Sequence, residues 1–483
     1  MSEKRQNLIK DFVRGRSCAV LGLGVSNLPL LEVLCDMGAR VTVYDKRSTE
    51  EIGEDAKRFA ERGVRFVCDG AFENISEELI FRSPGIRPDK VGIEKALESG
   101  AELTSEMELF LRLTPSRTFA ITGSDGKTTT TTLTGKFLSE AISDGKTYVG
   151  GNIGEPLLDK CEGMTAADNA VLELSSFQLM NLCDAPEYVA ITNVSPNHLD
   201  WHTDMGEYVR AKKNIIGERT RRVVTNTDCY ETFRLACEVM EWDDVELFLF
   251  SSSKVGYSQI FGNLTPECKT KAIYVSDGYI CVCDGREERR LLRVADINIP
   301  GKHNVENYMT AIGLTLDLVP CEVYSKVAKE FFGVEHRLEF VRRVDGADYY
   351  NSSIDSSPTR SAAALSAMQG RTLVLICGGY DKNLPYAPLA EAICTHGGVR
   401  AVSLTGATGE KIRAQIEKYR ADNGVGKDIL IEYNQDFKTA VNVARVMARE
   451  GDSVVLTPAS ASFDAFKNFM ERGNTFKKLV EEF

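Results

Sequence analysis

No stretch of this 483-residue chain reaches the roughly 18 apolar residues that a membrane-crossing helix needs. The opening residues MSEKRQNLIKDFVRGR also lack an apolar core of signal-peptide length. No membrane is therefore expected as a partner, and a soluble, cytoplasmic protein is. Positive charge is in the minority: 58 Lys and Arg stand against 70 Asp and Glu, a net charge of -12. A phosphate backbone would be repelled on average, so no nucleic acid is expected as a partner. Paired cysteines are missing too. The 13 cysteines are odd in number and scattered, without one Cys-x-x-Cys, which suits small core residues in a reducing compartment. Cys281 and Cys283, two apart, share one face of a strand. Histidine is scarce, 5 in all. His198, His303 and His336 fall in dense, motif-like segments, whereas His202 and His396 do not.

Hydrophobic residues make up 43% of the chain, ample for burial, and the length suits about three domains. From the start, short apolar runs alternate with helical patterns: Cys18 to Gly22, a helix from about Leu28 to Met37, then Arg40 to Asp45. That alternation predicts a parallel, doubly wound sheet. Gly22-Leu-Gly24 and Ser26 form the first strand-to-helix turn, with Asp45 at the end of the next strand. The pattern is close to a dinucleotide fingerprint, except that Asn27 replaces the third glycine. Ser83-Pro84-Gly85 offers a second turn at the same sheet edge. A boundary at Thr114-Pro115-Ser116 closes this first region, 1–114. A central region, 115–335, follows, with strands at Ala170 to Leu174 and Tyr188 to Thr192. Its stretch from Leu247 to Leu292 predicts a small antiparallel addition, with a turn at Ser276-Asp277-Gly278. From His336 the alternation restarts at Thr372 to Cys377, Ala401 to Leu404, Ile429 to Ile431 and Ser453 to Leu456, a third α/β region spanning 336–483.

The richest segment is Thr122-Gly123-Ser124-Asp125-Gly126-Lys127-Thr128-Thr129. It follows an apolar run ending at Ile121 and opens a helix predicted over Lys127 to Ala141. Backbone N–H groups of such a turn and the positive helix end face an anion. Lys127 supplies a mobile cation for β and γ phosphates, and the Thr128 hydroxyl suits magnesium. The spacing is Gly-x-x-Gly-Lys-Thr, with Ile121 where the longer P-loop pattern has its first glycine. Glu173 ends an apolar strand, where open α/β sheets place their sites, and is either a metal ligand or the start of a solvated loop. His198 follows another buried strand, as a capping residue or a ligand. Tyr208, Lys212 and Ile215 share a helix face by spacing, and spacing alone reads Lys212 and Lys213 as solvated. Asn304 and Asn307 share a face where amides could read a purine edge, with helix capping as the competing role for Asn304.

These motifs, with Gly151-Asn152-Ile153-Gly154, Glu173 to Gln178, the Asn-His-Leu-Asp segment ending at Asp200, Gly378 to Lys382 and Ser460 to Phe469, come in one order along the whole chain. In that order they resemble the Mur ligase family, ATP-dependent amide-forming enzymes of peptidoglycan assembly. The Glu-Leu-Ser-Ser-Phe-Gln element and the Ser462 to Phe469 stretch resemble the branch that adds D-glutamate to UDP-N-acetylmuramoyl-L-alanine through an acyl phosphate. The resemblance implies an α/β fold of three domains. They are an N-terminal Rossmann-like domain for the uridine nucleotide, a central P-loop ATPase sheet with a small antiparallel addition, and a C-terminal Rossmann-like domain for the amino acid. It implies ATP, two magnesium ions, small-molecule substrates only, a monomer, and a role in cell-wall synthesis, cell shape and division.

By matching position, the resemblance puts Gly123 to Thr129, Asn307 and Arg337 at ATP, and Thr128, Glu173, His198 and Lys212 at the metals, with Lys212 as its carbamate and Lys127, His198 and Lys212 in catalysis. Ser26, Asp45, Lys46, Ser83, Asn152 and Ser175 are implied for the UDP-substrate, and Lys382, Ser462 and Phe469 for D-glutamate. The chain departs from the family at Asn351-Ser352-Ser353-Ile354-Asp355-Ser356. There Ser352 replaces an acid expected on the ATP ribose, and Ile354 replaces a lysine expected near the amino acid. Three alternatives stand beside this reading: a Mur-type ligase with another amino-acid choice, a nicotinamide-dependent oxidoreductase resting on Gly22 to Asp45, and a non-catalytic nucleotide-sugar sensor.

Overall fold

A computed structural model describes residues 12–483 apart from 14, 25, 69–71, 200, 254–268, 300 and 383. The described residues are α/β throughout and build three sheets, distributed over two compact units, Met1–Glu330 and Phe331–Phe483.

The first sheet holds β1 (Ser17–Leu21), β2 (Arg40–Tyr44), β3 (Arg65–Val67), β4 (Leu79–Arg82) and β5 (Glu102–Thr104) in the order β3-β2-β1-β4-β5, all parallel. The strand order reverses between β1 and β4, so the turns that leave them, Gly22 to Ser26 and Ser83 to Ile86, open into one crevice. The helix Glu106–Leu113 then leads into the second sheet, and its Met107, Leu109, Phe110, Leu111 and Leu113 are buried in a core shared by both sheets.

The second sheet contains β6 (Arg117–Thr122), β7 (Thr147–Gly151), β8 (Asn169–Glu173), β9 (Tyr188–Ile191), β10 (Arg222–Asn226), β11 (Glu246–Ser251), β12 (Thr270–Ser276), β13 (Tyr279–Cys283) and β14 (Glu288–Arg293). Their order is β14-β13-β12-β11-β10-β9-β6-β8-β7. The stretch predicted as an antiparallel addition is the edge of this same sheet. Only β12 to β14 run antiparallel; β11 is parallel to both neighbours and buried along nearly its whole length, as an interior parallel strand should be. Asp277 and Gly278 take the positive φ of a two-residue hairpin turn, 49° and 76°.

The helix Lys127–Ala141 is rich in threonine, a poor helix former. Burial holds it: Thr128, Thr130, Thr131 and Thr134 lie inward, and the Thr132 and Thr134 hydroxyls donate back to Thr128 and Thr130 carbonyls, each at 2.8 Å.

The second unit has β15 (Glu339–Val344), β16 (Ala347–Asn351), β17 (Leu373–Gly378), β18 (Val399–Thr405), β19 (Leu430–Tyr433) and β20 (Ser453–Leu456), ordered β15-β16-β20-β17-β18-β19. The last four match the predicted strands. The β15–β16 hairpin was not foreseen, because β15 is a half-exposed edge strand without a run of buried residues. Separate apolar clusters cover the two faces of this sheet.

Candidate active site

The glycine loop leaves β6 at Thr122 and enters its helix at Lys127, as its spacing predicts. Two glycines are required by geometry. Gly123 has φ 150° and a Cβ there would stand 1.9 Å from Thr192 Oγ1; Gly126 has φ 80° and its Cβ would stand 2.3 Å from Asn307 Oδ1. The loop is clamped by the segment that follows β9. The Thr192 hydroxyl donates to the Asp125 carbonyl at 2.6 Å. Asn193 uses Oδ1 to accept the Asp125 N–H at 2.9 Å and Nδ2 to donate to the Asp125 carbonyl at 3.2 Å. Ser124 Oγ accepts the Ser195 N–H and meets the Tyr208 hydroxyl, both at 2.9 Å. Lys127 folds its Nζ onto the Gly123 and Ser124 carbonyls, each 2.9 Å away. Thr128 is buried and Thr129 half-buried. Beside the loop lies a cavity of about 380 Å³ lined by Asp125, Gly126, Asn193, His303, Glu306 and Asn307. Asn307 is buried, accepts from the Thr130 hydroxyl at 3.3 Å and donates to Asn304 Oδ1 at 3.0 Å, so Asn304 supports Asn307 and is not the helix cap.

Glu173 ends β8 opposite Ile121 of β6, at the root of the loop. It is 2% exposed. Its Oε1 accepts from Asn152 Nδ2 at 2.8 Å, while Oε2 is buried with no hydrogen-bond donor among the described residues. A buried carboxylate oxygen with no donor, at the root of a phosphate-type loop, fits a hard, oxygen-seeking cation. Among the described residues no three His, Cys, Asp or Glu side chains gather as a metal cluster; a magnesium ion commonly takes few protein ligands beside phosphate oxygens.

Lys212 corrects the expectation of a solvated lysine. It lies 2% exposed on the helix Met205–Lys213, with Nζ 2.8 Å from the Gly123 carbonyl and 4.5 Å from the centre of the Tyr208 ring, whereas Lys213 points out. Burial first, then the nearby Lys127 cation, push its ammonium well below the ordinary lysine range, against Asp125 and Glu173. His198 stands exposed with φ 55°, its ring edge-on to Phe177 at 4.9 Å. Sequence reasoning passed over the buried imidazole of this segment, His202. That ring bridges Ser176 Oγ at 2.9 Å and Glu207 Oε2 at 3.2 Å, and Arg87 closes on Glu207 Oε1 at 3.1 Å. The hydrogen bond from Arg87 holds the Glu207 carboxyl down at about 2. Asp200 lies outside the described residues, as do residues 254–268 of the Leu247 to Leu292 stretch.

In the crevice of the first sheet, Asp45 is already engaged. Its Oδ2 accepts the Leu23 N–H at 2.7 Å, and Arg47 binds both oxygens at 3.0 Å. Burial pushes this carboxyl up, but the Arg47 and Leu23 hydrogen bonds outweigh it and hold it at about 2. The third-glycine position is filled usefully, because buried Asn27 donates to the Gly22 carbonyl at 2.7 Å. Lys46 is exposed, and Ser26 and Ser83 are half-buried at the two turns. Ser175 caps the short helix Ser176–Leu179, its hydroxyl tied to Gln178. Arg82, unforeseen, is buried; it donates to the Ile86 carbonyl at 2.6 Å and to the Phe177 carbonyl at 2.8 Å, fastening the Ser83 turn to the loop after Glu173.

In the second unit, Ser462 is buried, Phe469 opens the helix Phe469–Glu481 with its ring on His336, and Lys382 and Arg337 are exposed. Ser352 accepts the Leu338 N–H at 3.1 Å, and Asp355 is buried with Oδ2 3.1 Å from the Thr457 hydroxyl. Asn351 Nδ2 joins His336 Nδ1 at 2.9 Å to Glu339 Oε2 at 3.0 Å.

A glycine loop at the reversal point of a parallel sheet, a strand-end carboxylate beside it and a buried lysine at its carbonyls define a P-loop nucleotide-dependent enzyme. Family profiles sharpen this: one described as "Mur ligase middle domain" matches residues 121–315 and one described as "Mur ligase, glutamate ligase domain" matches residues 336–460. The chain is 42% identical over 483 residues, 99% of both chains, to a UDP-N-acetylmuramoylalanine--D-glutamate ligase of Clostridium novyi (strain NT). It is 41% identical over 478 residues, 98% of both chains, to the enzyme of that name from Acetivibrio thermocellus. Among solved structures, a UDP-N-acetylmuramate-alanine ligase of Thermotoga maritima shares the fold at TM-score 0.53 and 17% identity, over 97% of this chain and 99% of the other. The chain belongs to the Mur ligase family and is an ATP-dependent ligase that forms carbon–nitrogen bonds.

Proposed function

We propose that this ligase joins D-glutamate to UDP-N-acetylmuramoyl-L-alanine in cytoplasmic peptidoglycan precursor synthesis, as a monomer. The observation that carries the reading is the likeness along 99% of both chains to a relative bearing that activity in its name.

A carboxylate is a poor acylating agent because its leaving group would be oxide. The alanine carboxylate therefore attacks the γ-phosphate of ATP, ADP leaves, and an acyl phosphate results. The D-glutamate amine adds to that carbonyl, loses a proton, and phosphate departs. The loop N–H groups from Gly123 to Thr129 and the Lys127 ammonium bind the phosphates, and Lys127 leaves its loop carbonyls to meet the charge building on the transferred group. Asn307 and Arg337 serve ATP. Thr128, Glu173, His198 and Lys212 are the residues that would hold two magnesium ions, which neutralise charge on the phosphoryl oxygens when bound. Lys212 acts there as its carbamate. A buried amine pushed toward neutrality is the form that reacts with carbon dioxide, and the product turns a repelling cation into an oxygen anion. Asn152 holds Glu173 in place. Ser26, Asp45, Lys46 and Ser83 in residues 1–114, with Ser175 of the central region, serve the UDP-substrate, residues 115–335 otherwise serve ATP, and Lys382, Ser462 and Phe469 in residues 336–483 hold D-glutamate. Asp45 acts by shaping the Gly22 turn, since its carboxylate is spent on Leu23 and Arg47.

A phosphate-release assay tests this: release should require UDP-N-acetylmuramoyl-L-alanine together with D-glutamate, and not L-glutamate, L-alanine or a diamino acid. Release with another member of that panel reassigns the amino acid, and none with any of them leaves a nucleotide-sugar sensor.

A further inference from the structure

Among the described residues, the largest fully buried side chain, Arg472, takes no part in the site so far. It sits in the first turn of the helix Phe469–Glu481 and is 2% exposed. Its guanidinium donates four hydrogen bonds: Nε to Ser353 Oγ at 3.0 Å, one terminal nitrogen to the Ser353 carbonyl at 2.8 Å, and the other to the Ser460 and Ala461 carbonyls, each at 3.0 Å. Each acceptor belongs to a segment that carries or borders the amino-acid assignment. Ser353 Oγ in turn donates to the Phe469 carbonyl at 2.7 Å, and the Ala461 carbonyl also accepts the Tyr380 N–H at 2.9 Å. One side chain thus fixes the backbone at Ser353, at Ser460 and Ala461 beside Ser462, and, through these acceptors, at Phe469 and Tyr380.

Two features of Arg472 oppose folding stability. Among the described residues no carboxylate pairs with it; Asp464 and Asp355 act on it only by longer-range attraction. A cation also stands in the first helical turn, the positive end of the helix. An apolar side chain of similar volume would avoid both. Breaches of local rules of this kind concentrate at functional sites, and an unneutralised positive charge behind a loop favours an anion in front of it.

We infer that Arg472 is a positioning residue for the acidic amino-acid substrate, holding the Ser460 to Ser462 loop and the Phe469 helix start in register and lending the pocket positive potential. The inference rests on the D-glutamate reading and deepens it. Burial lowers the Arg472 pKa to about 10, so the group stays charged at neutral pH.

Steady-state kinetics of the full chain test it. Arg472→Lys keeps the charge and loses the fork; it should raise KM for D-glutamate about tenfold or more while KM for ATP and for the UDP-linked acid stay within about twofold. Ser353→Ala keeps Arg472 and removes one acceptor, so the same constant should rise about threefold. Equal rises for all three substrates, or an unchanged KM for D-glutamate in Arg472→Lys protein that melts like the wild type, would overturn the role. Should Arg472→Lys fail to fold, Ser353→Ala decides alone, and an unchanged D-glutamate constant overturns it. Wild-type protein that uses a different amino acid refutes the D-glutamate reading instead, and the same variants are then measured with that amino acid.

Discussion

The glycine loop after β6 and the Ser460 to Ser462 loop after β20 both stand at the carboxyl ends of parallel strands, and both are assigned to anions, yet they are held in opposite ways. The first is clamped by neutral groups, Thr192 and Asn193, and keeps its cation, Lys127, folded onto loop carbonyls. The second is fixed from behind by a buried guanidinium whose bonds are all spent on protein acceptors. A cation that must follow a moving phosphoryl group has to be mobile. One that only shapes a pocket gains from rigidity, and four hydrogen bonds supply it.

The contrast breaks most directly at Lys127. Lys127→Ala should cut turnover at least about 10³-fold, since a charge aimed at the transferred group is lost, while calorimetry finds binding of the UDP-substrate nearly unchanged. Turnover at the wild-type rate would remove the glycine loop from the mechanism. Lys212→Ala should be as inactive in practice but partly rescued by short-chain carboxylic acids, which supply the oxygen anion of the carbamate; full activity without rescue dismisses the carbamate. The clamp is a gentler target. Asn193→Ala removes the two side-chain bonds to Asp125 and should raise KM for ATP about tenfold, roughly the worth of one to two neutral hydrogen bonds. A KM for ATP equal to wild type would mean the loop keeps its shape without Asn193.

The difference between the two loops is also a difference in legibility. The glycine loop is contiguous, so its turn, its helix and the lysine can be read from eight neighbouring residues, as can Glu173 from its place at a strand end. The clamp could not be read, because Asn193 reaches Asp125 across 68 positions. Arg472 is further still from legible: it meets Ser353 across 119 positions, and an arginine in a polar stretch looks like surface. Lys212 and Lys213 show the limit of periodicity, since neighbouring lysines on one helix differ in burial only through what packs against the helix. The same holds for His198 and His202, where a motif drew attention to the exposed ring and the buried one is set by Glu207 and Ser176. Asp45 was legible as a strand-end acid, but not its capture by Arg47 two residues on.

The smallest effect sharpens the comparison from the second unit. Asp355 lies beneath the same strand ends, and burial pushes its carboxyl up from 3.8 to about 6, against the hydroxyls of Ser352 and Thr457 and the more distant Arg337 and Arg360 cations. A carboxyl raised in the folded state keeps its proton where the unfolded chain has lost it. The contribution of this group is therefore full below about pH 4, falls as pH rises through the window to about 6, and stays lower by about 3 kcal/mol above it. Asp355→Asn keeps the shape and an acceptor for the Thr457 hydroxyl without the charge. It should melt like the wild type near pH 4 but about 5 °C higher or more at pH 7.5. Melting curves of the two proteins at pH 4, 6 and 7.5 decide: parallel pH profiles would mean that the Asp355 carboxyl titrates alike in the folded and unfolded chain, and that burial beneath these strand ends does not disfavour its charge.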